Sequence, residues 1–325
     1  MCAVLITGGA GYIGSHVNKL LTQRGVETMV FDSLVTGHAD FLQWGEFIAG
    51  DLLDPQALNR AFNRTHIDAV LHFASFIAVG ESVEDPNKYY LNNVAATLNL
   101  LDAMVRHGVR GLVFSSSASV YGEPEQERID ESHPMRPLSP YAQSKAMIEQ
   151  MLEDYHRAHG LASCRLRYFN AAGADPEGEI GERHVPETHL IPLVLHAALG
   201  LRPNISIYGT DYATPDGTCV RDYIHVSDLA EAHALALNWL ERGETRAFNL
   251  GNGNGYSVRE VVEVARAVTG RDIAMVEGGR RAGDSPVLVA SSARAQAELG
   301  WEPRFGDLET IVRTAWDWLR KDSRD

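Results

Sequence analysis

The chain has 325 residues, 45% apolar and 22% charged, an ordinary globular balance long enough for two domains or one with a large appendage. A net charge of −14 argues against a nucleic-acid partner, though a local cationic pocket for a small anion remains open. No apolar run approaches about 18 residues, and a core strand begins almost at Met1 with no room for a signal peptide, so a soluble cytoplasmic protein without a membrane partner is expected.

Ala3-Val4-Leu5-Ile6 is a run of β-formers, and Thr7-Gly8-Gly9-Ala10-Gly11-Tyr12-Ile13-Gly14 follows it directly. Val17, Leu20 and Leu21 then recur at helical spacing until Arg24-Gly25 stops the helix. Gly8, Gly11 and Gly14 therefore lie in a strand–turn–helix unit, the context that lifts a glycine pattern above chance. Their spacing is not that of the commonest dinucleotide fingerprint, but the physical demands are shared. A tight turn, a bare backbone where a pyrophosphate approaches, and close helix–sheet packing all require glycine. The helix N-terminus adds free N–H groups and a positive dipole end.

A second strand, Glu27 to Phe31, ends in Asp32, 18 residues beyond Gly14, where a carboxylate can accept from ribose hydroxyls. Ser33 to Asp40 contain no Arg or Lys to offset a 2′-phosphate, which favours NAD over NADP. A structural glycine turn with a solvated acid is the plain alternative; the ordered set of strand, turn, helix, strand and acid outweighs it.

Phe47-Ile48-Ala49 is a third strand, with Asp51 at its carboxyl end. Asp51 either accepts from an adenine amino group or caps the helix that Asp54-Pro55 begins, and the two readings stand level. Asp68 to Ala74 form a fourth, continuously apolar strand, in which His72 reads as a satisfied core residue. Asn87 to His107 read as one helix with Leu91, Val94, Leu98, Leu101 and Val105 on its apolar face and Gly108 as its stop. One of Asn92 and Asn93 should face inward to bind something, because propensity disfavours both. Gly111 to Phe114 are a fifth strand ending in Ser115-Ser116-Ser117, hydroxyls costly as core and useful as donors. Ser139-Pro140 opens a helix on which Tyr141 and Lys145 are one turn apart, while Met147, Ile148, Met151 and Leu152 give it an apolar side.

A free phenol has a pKa of about 10, so only about one in a thousand is ionised at neutral pH. A lysine ammonium one turn away and a positively charged nicotinamide would both favour the phenolate. Tyr141 could then take a proton from a substrate hydroxyl while the carbon beneath it loses hydride, with Ser117 sharing the proton and Lys145 reaching the cofactor ribose. Behind a dinucleotide turn and a serine-rich strand end, this Tyr-x-x-x-Lys pair resembles the short-chain dehydrogenase/reductase superfamily, in its extended branch acting on nucleotide sugars.

In the second half, Cys164 to Phe169 form a sixth strand, and isolated arginines in an acidic chain suit a phosphate ligand. Cys2, Cys164 and Cys219 have no C-x-x-C spacing and read as small buried residues, with no disulfide framework or metal site. Tyr89-Tyr90-Leu91-Asn92-Asn93-Val94, Ser115 to Gly122, Arg167 to Ala174 and above all Gly217 to His233 are similar to the UDP-hexose 4-epimerases of that branch. The likeness runs from Thr7 to about Trp318.

The resemblance implies that Gly8, Gly11, Tyr12, Ile13, Gly14, Asp32, Asp51, Leu52, Phe73, Asn92, Ser115, Tyr141, Lys145 and Tyr168 meet NAD. It implies that Ser117 and Tyr141 contact the hexose and Asn170 a sugar phosphate. Tyr208 would lie by the uracil, and Arg221, Arg281 and Asp284 would anchor the uridine diphosphate. By the same resemblance His189 would stand where other members have an Asn near the diphosphate, Leu190 would meet the substrate, and Leu288 would occupy the position whose bulk gates N-acetyl sugars. The implied reaction interconverts UDP-glucose and UDP-galactose at C4 through a transient 4-keto sugar, with Ser117, Tyr141 and Lys145 catalytic and a homodimer formed through the Asn92 and Tyr141 helices. Ile77 replaces a lysine found in some members, removing a cationic cofactor contact.

Ala118 and Ser119 follow Ser117 where a 4,6-dehydratase would carry Asp-Glu, so that reaction is excluded. UDP-pentose, UDP-uronate and UDP-N-acetylhexosamine epimerases remain as alternatives, as does a non-catalytic NAD-sensing regulator, which has little use for Ser117, Tyr141 and Lys145 together. The expected architecture is a Rossmann-type, doubly wound, mostly parallel sheet of about seven strands over residues 1–178. Residues 226–250 return to it, and residues 179–325 form a smaller α/β nucleotide-sugar domain.

Overall fold

A computed structural model describes residues 3–281 and 284–323. Met1, Cys2, Ala282, Gly283, Arg324 and Asp325 lie outside them.

The main sheet is built from β1 (Val4–Thr7), β2 (Thr28–Asp32), β3 (Glu46–Ala49), β4 (Ala69–His72), β5 (Gly111–Ser117) and β6 (Ala162–Tyr168), with β10 (Thr245–Leu250) joining from the second half. Its order is β10-β6-β5-β4-β1-β2-β3, and every pairing is parallel. The sheet is doubly wound, reversing direction between β1 and β4. The first 178 residues supply six of the seven strands. The seventh, β10, pairs with β6 from Thr245 opposite Ser163 to Leu250 opposite Tyr168.

Parallel strands need helical crossovers, and burial on both faces explains the near-continuous apolar runs. One face is covered by α1 (Tyr12–Gln23) and by α8 (Val226–Trp239), with Val4, Ile6, Leu71, Val113 and Leu166 beneath them. The other face is covered by α2 (Pro55–Phe62), α5 (Ala96–Arg106) and α6 (Pro140–His159), over Leu5, Val70, Leu112 and Phe114. Short α3 (Val79–Glu84) and α4 (Pro86–Tyr89) lead into α5 through one π-helical turn, Tyr90–Ala95.

That π turn corrects the long-helix expectation. One extra residue per turn rotates the following face, so Leu100, Leu101 and Met104 are buried while Leu91 and Leu98 are about half exposed, at 50% and 47%. Met147 on α6, expected on the apolar side, is also exposed, whereas Ile148 and Leu152 are buried. His72 behaves as a core residue: its two ring nitrogens meet Thr7 Oγ1 at 2.7 Å and Thr97 Oγ1 at 2.8 Å, and burial pulls its pKa down to about 3.

The smaller part carries β7 (Asn170–Ala172), β9 (Val220–His225), β11 (Gly255–Ser257) and β13 (Val287–Leu288) around β9, and a separate pair of β8 (Ile205–Tyr208) with β12 (Met275–Gly278). Helices α7 (Leu190–Ala198), α9 (Val258–Thr269) and α10 (Leu308–Asp322) share its core, which includes Ile191, Val261, Ile311, Val312 and Trp318. Cys164 and Cys219 are buried and unpaired. No helix among the described residues is long and apolar enough to cross a membrane.

A buried ion pair ties α6 to β6. Arg167 Nε donates to both Glu149 oxygens at 2.9 and 3.2 Å, and Ser116 Oγ donates to Glu149 at 2.6 Å. Both charged side chains are almost fully enclosed. Removing one partner strands the other charge. Glu149→Gln is therefore expected to lower unfolding free energy by about 3 kcal/mol, measured by urea denaturation; a change below about 0.5 kcal/mol would contradict this account.

Candidate functional site

An open parallel sheet offers its ligand crevice outside the strands' carboxyl ends, where the strand order reverses. Here that point lies between β1 and β4, and the glycine-rich turn occupies it. Gly8 has φ +75°, and a Cβ there would stand 2.5 Å from Ala74 N, just past β4. A Cβ on Gly14 would stand 2.4 Å from Gly8 O. Gly11 differs: its φ is −86°, and a Cβ would meet only Gly8 O, at 3.4 Å. The protein's own packing thus requires two of the three glycines and leaves space beside the third.

Gly11 is also the N-cap of α1, with no side-chain cap and no acid in the first turn, so the helix presents uncapped N–H groups beside that space. The turn fits a dinucleotide pyrophosphate. Tyr12 contributes only backbone there, because its hydroxyl donates to Gly173 O at 2.6 Å. Ile13 packs against the core beneath α1. Asp32 ends β2 and accepts from Ala10 N at 3.0 Å and Leu34 N at 2.8 Å, which orients its carboxylate beside the turn.

Asp51 is exposed and accepts from Leu53 N at 2.8 Å. The cap of α2 is Asp54, which accepts from Gln56 N, so the capping alternative for Asp51 is corrected: helix entry lies three residues later. Leu52 is buried and Phe73 lies half-buried against His233. Of the two asparagines, Asn93 faces inward, clasping both backbone groups of Phe76 and donating to Ser144 Oγ at 3.1 Å; half-buried Asn92 donates to Asn93 Oδ1. Ile77 is exposed.

At the end of β5 the strand's alternation divides the serines. Ser116 turns to Glu149, while Ser115 Oγ bonds the Tyr168 hydroxyl and Ser117 Oγ accepts from Ser119 Oγ at 3.0 Å. Ser139 caps α6 by accepting from Ala142 N, fixing the first turn that carries Tyr141. Lys145, one turn on, is buried; its Nζ donates to Ser115 O at 2.9 Å and stands 5.8 Å from the Tyr141 ring centre.

Burial lowers the Lys145 pKa to about 7 despite the Glu149 carboxylate, which pulls it up. Tyr141 is raised by burial, with the Ser117 hydroxyl acting the other way. The expected lowering of the phenol pKa is thus corrected for the protein alone: desolvation of the anion outweighs the neighbouring hydroxyl. Tyr168 is raised as well, by burial first.

A second locus lies in the smaller part. Asn170, His189, Leu190, Tyr208, Arg221, Arg281 and Asp284 all line one cavity of about 260 Å³; Ser117, Tyr141 and Leu288 are outside its lining. Asn170 Nδ2 donates to Asp222 O at 2.9 Å. Arg221 is held by Val220 O at 2.9 Å, Ser285 O at 2.8 Å and Asp284 Oδ1 at 3.3 Å. Arg281 lies 3.8 Å from the centre of the Tyr208 ring and lowers that phenol's pKa. His189 stands at the N-cap position of α7, its side chain making no cap bond to the helix and pairing instead with Glu182 and Glu187. Leu288 sits opposite Arg221 in β13–β9 and packs on the cluster of Ala118, Val120, Tyr121 and Ile129.

Glu182, Thr188, Arg202 and Tyr223 line the same cavity and escape a reading of the sequence alone. The only signal was the repeated Glu and His between 182 and 189.

Residues 4–251 match the model of the NAD dependent epimerase/dehydratase family. The UDP-glucose 4-epimerase of Halalkalibacterium halodurans is 52% identical over 320 residues, covering 98% of this chain and 96% of the relative. The UDP-glucose 4-epimerase from Brucella ovis, solved in complex with NAD, superposes with a TM-score of 0.96 at 49% identity, over 98% of each chain. The enzyme of that name from Bifidobacterium longum, in complex with NAD+ and UDP, gives 0.94 at 37% identity over 99% of each chain.

The three glycines make separable predictions. Gly11→Ala should change unfolding free energy by less than about 1 kcal/mol while cutting NAD retained on purification at least about tenfold, a loss of about 1.4 kcal/mol. Gly14→Ala should destabilise by about 2 kcal/mol or more through its backbone clash. Thermal unfolding and cofactor content measure both, and equal behaviour of the two variants would contradict the assignment.

Proposed function

The chain belongs to the NAD dependent epimerase/dehydratase family, and from that premise we propose that it interconverts UDP-glucose and UDP-galactose at C4 through a transient 4-keto sugar. The observation that carries this reading is the Tyr141 phenol set between Ser117 and buried Lys145 on the same edge of the sheet as the glycine turn. A non-catalytic NAD sensor has no use for that grouping.

Gly8, Gly11, Ile13, Gly14 and Asp32 would hold NAD at the turn, with Lys145 at its ribose. Bound NAD supplies the acceptor, and then the donor, of the hydride at C4. Tyr141 takes the O4 proton and later returns it, and Ser117 shares that proton. A Lys145 poised near pH 7 can gain a proton as the phenol loses one, so the buried pair need not carry a lone negative charge. In the smaller part, Arg221 and Arg281 supply positive charge for the diphosphate. Asn170 faces the same cavity, and the ring of Tyr208 offers a flat surface for uracil. Concentrating recognition on the nucleotide leaves the hexose free to present either face to one base.

Leu91 and Leu98 before and along α5, with Met147 on α6, leave apolar side chains exposed on neighbouring helices. A homodimer through these helices would cover them. The buried, unpaired Cys164 and Cys219 suit a reducing compartment, consistent with the cytoplasm.

Purified protein incubated with UDP-galactose and no added cofactor should form UDP-glucose. Tyr141→Phe should keep NAD and UDP-sugar binding yet lose at least about 100-fold in kcat, the usual share of a general base. Near-unchanged turnover would sink the assignment; no turnover by the unaltered protein, even with NAD supplied, would redirect it to a pentose or uronate substrate. Leu98→Glu should convert a dimer to monomers in sedimentation velocity, and an unchanged sedimentation coefficient would rule this face out.

A further inference from the structure

The loop before α7 carries Glu182, His184, Glu187 and His189, whose ligand atoms all lie within 4.8 Å of one another. Glu182 Oε1 is 3.4 Å from His184 Nδ1 and 2.9 Å from His189 Nδ1. Glu187 faces the same two nitrogens, with Oε2 at 3.4 Å from His184 and Oε1 at 2.9 Å from His189. Each Nδ1 therefore addresses two carboxylates, although an imidazole nitrogen carries at most one hydrogen to donate. As hydrogen bonding the arrangement is over-supplied with acceptors. As coordination, one ligand atom from each of the four residues lies within 4.8 Å of the others, with Glu187 Oε1 also accepting from Thr188 N at 2.6 Å and His189 N at 2.7 Å.

The nitrogen–oxygen separations bracket those of a small tetrahedral site, with Glu187 offering a different oxygen to each histidine. With metal–ligand bonds of about 2.0–2.1 Å, neighbouring donors of tetrahedral zinc stand about 3.3 Å apart, and the four nitrogen–oxygen distances fall on either side of that. Both carboxylates are enclosed, with side chains 6% and 7% exposed, and no Lys or Arg among the described residues pairs with either. The contrast is the nearby trio Asp175, Glu177 and Glu179, where Lys19 Nζ already sits 2.5 to 2.8 Å from each acid. Burial disfavours both imidazolium ions, but without an ion the two carboxylates outweigh it and raise both imidazole pKa values, so the cluster is neutral. A divalent cation would displace the proton from each Nδ1 and meet the two carboxylate charges in its place. Imidazole nitrogen with carboxylate oxygen in four-fold geometry selects zinc over magnesium or calcium.

We propose that Glu182, His184, Glu187 and His189 form a structural zinc site. The ion pins the loop at both ends. His184 stands edge-on to Tyr12 at the start of α1, with ring centres 6.4 Å apart, and His189 stands at the N-cap position of α7 at the wall of the cavity. Zinc thereby sets the distance between the glycine turn and the α7 end of that wall. The site uses no step of the reaction proposed above, although Glu182 and His189 also line the cavity.

Tag-free protein, stripped with chelator and then titrated with ZnCl2, tests it by calorimetry and by metal analysis after removal of excess. About one zinc per chain is expected, with affinity at least about tenfold weaker in His184→Ala and in Glu187→Gln. Cobalt(II) substitution should give the intense visible bands of a tetrahedral site in the unaltered protein. Absence of stoichiometric zinc, retention of full affinity in both variants, or the weak spectrum of octahedral cobalt would each overturn the proposal. The cobalt spectrum of the unaltered protein decides the matter even if a variant fails to fold.

Discussion

The crowding where β1 and β4 part company is the constraint on which the rest depends. The chain leaves β1 at Thr7 and must turn within four residues to start α1 at Tyr12, while β4 ends alongside. Gly8 has backbone of Ala74 where a Cβ would be, and its φ of +75° is one that side chains disfavour. Gly14 lets α1 sit down on the turn itself. Only because those two contacts are so close does the start of the helix lie at the sheet's edge with its N–H groups unspent. Gly11 then has a different reason from its neighbours: nothing among the described residues needs its bareness except a shallow contact with Gly8 O. A repeated residue in one motif thus carries two structural duties and one vacant space suited to a ligand.

The end of β5 shows a similar division across the sheet. Successive side chains point to opposite faces, so three consecutive serines cannot share a role. Ser116 joins the enclosed Glu149–Arg167 pair, and Ser115 and Ser117 face Tyr168 and Tyr141. Glu149 lies one turn beyond Lys145 on α6, and its charge opposes the desolvation that depresses Lys145. A structural ion pair therefore tempers the acidity of a lysine one turn away on the same helix. The distinction matters because a lysine depressed much further would carry no charge at neutral pH, and one not depressed would hold its proton throughout.

Strong local signals made much of this legible in advance. β1, α1, β2 and Asp32 are read from pattern and turn chemistry, and the Ser139-Pro140 entry places Tyr141 and Lys145 correctly on one helix. The failures are of three kinds. The π turn at Tyr90–Ala95 has no sequence mark, and it rotated a face that counted well as a simple helix. The smaller part is built from strands of two to six residues, too short to show a period, so that Asn170, Tyr208, Arg221 and Asp284 could be assembled only by resemblance. Tyr141 fails differently: the direction of its pKa depends on burial, which the position of Lys145 in the sequence does not reveal.

One short stretch holds the two loci in register. β6 ends at Tyr168 and β7 begins at Asn170, with only Phe169 between them, yet the first belongs to the main sheet and the second pairs with β9 of the smaller one. Tyr168 is bonded to Ser115 beside Lys145, and Asn170 is bonded to the backbone of Asp222 beside Arg221. β10 locks the far edge of the same junction by pairing with β6 through Leu250 opposite Tyr168. A chain that passes between sheets within two residues, hydrogen-bonded on both sides, has little freedom to flex. The spacing between Tyr168 at the end of the main sheet and Asn170 at the cavity is therefore set by backbone rather than by side chains. A substrate anchored by its diphosphate would find the reacting carbon at a fixed radius from that anchor, and rotation about the phosphate linkage would change the face presented without changing the reach.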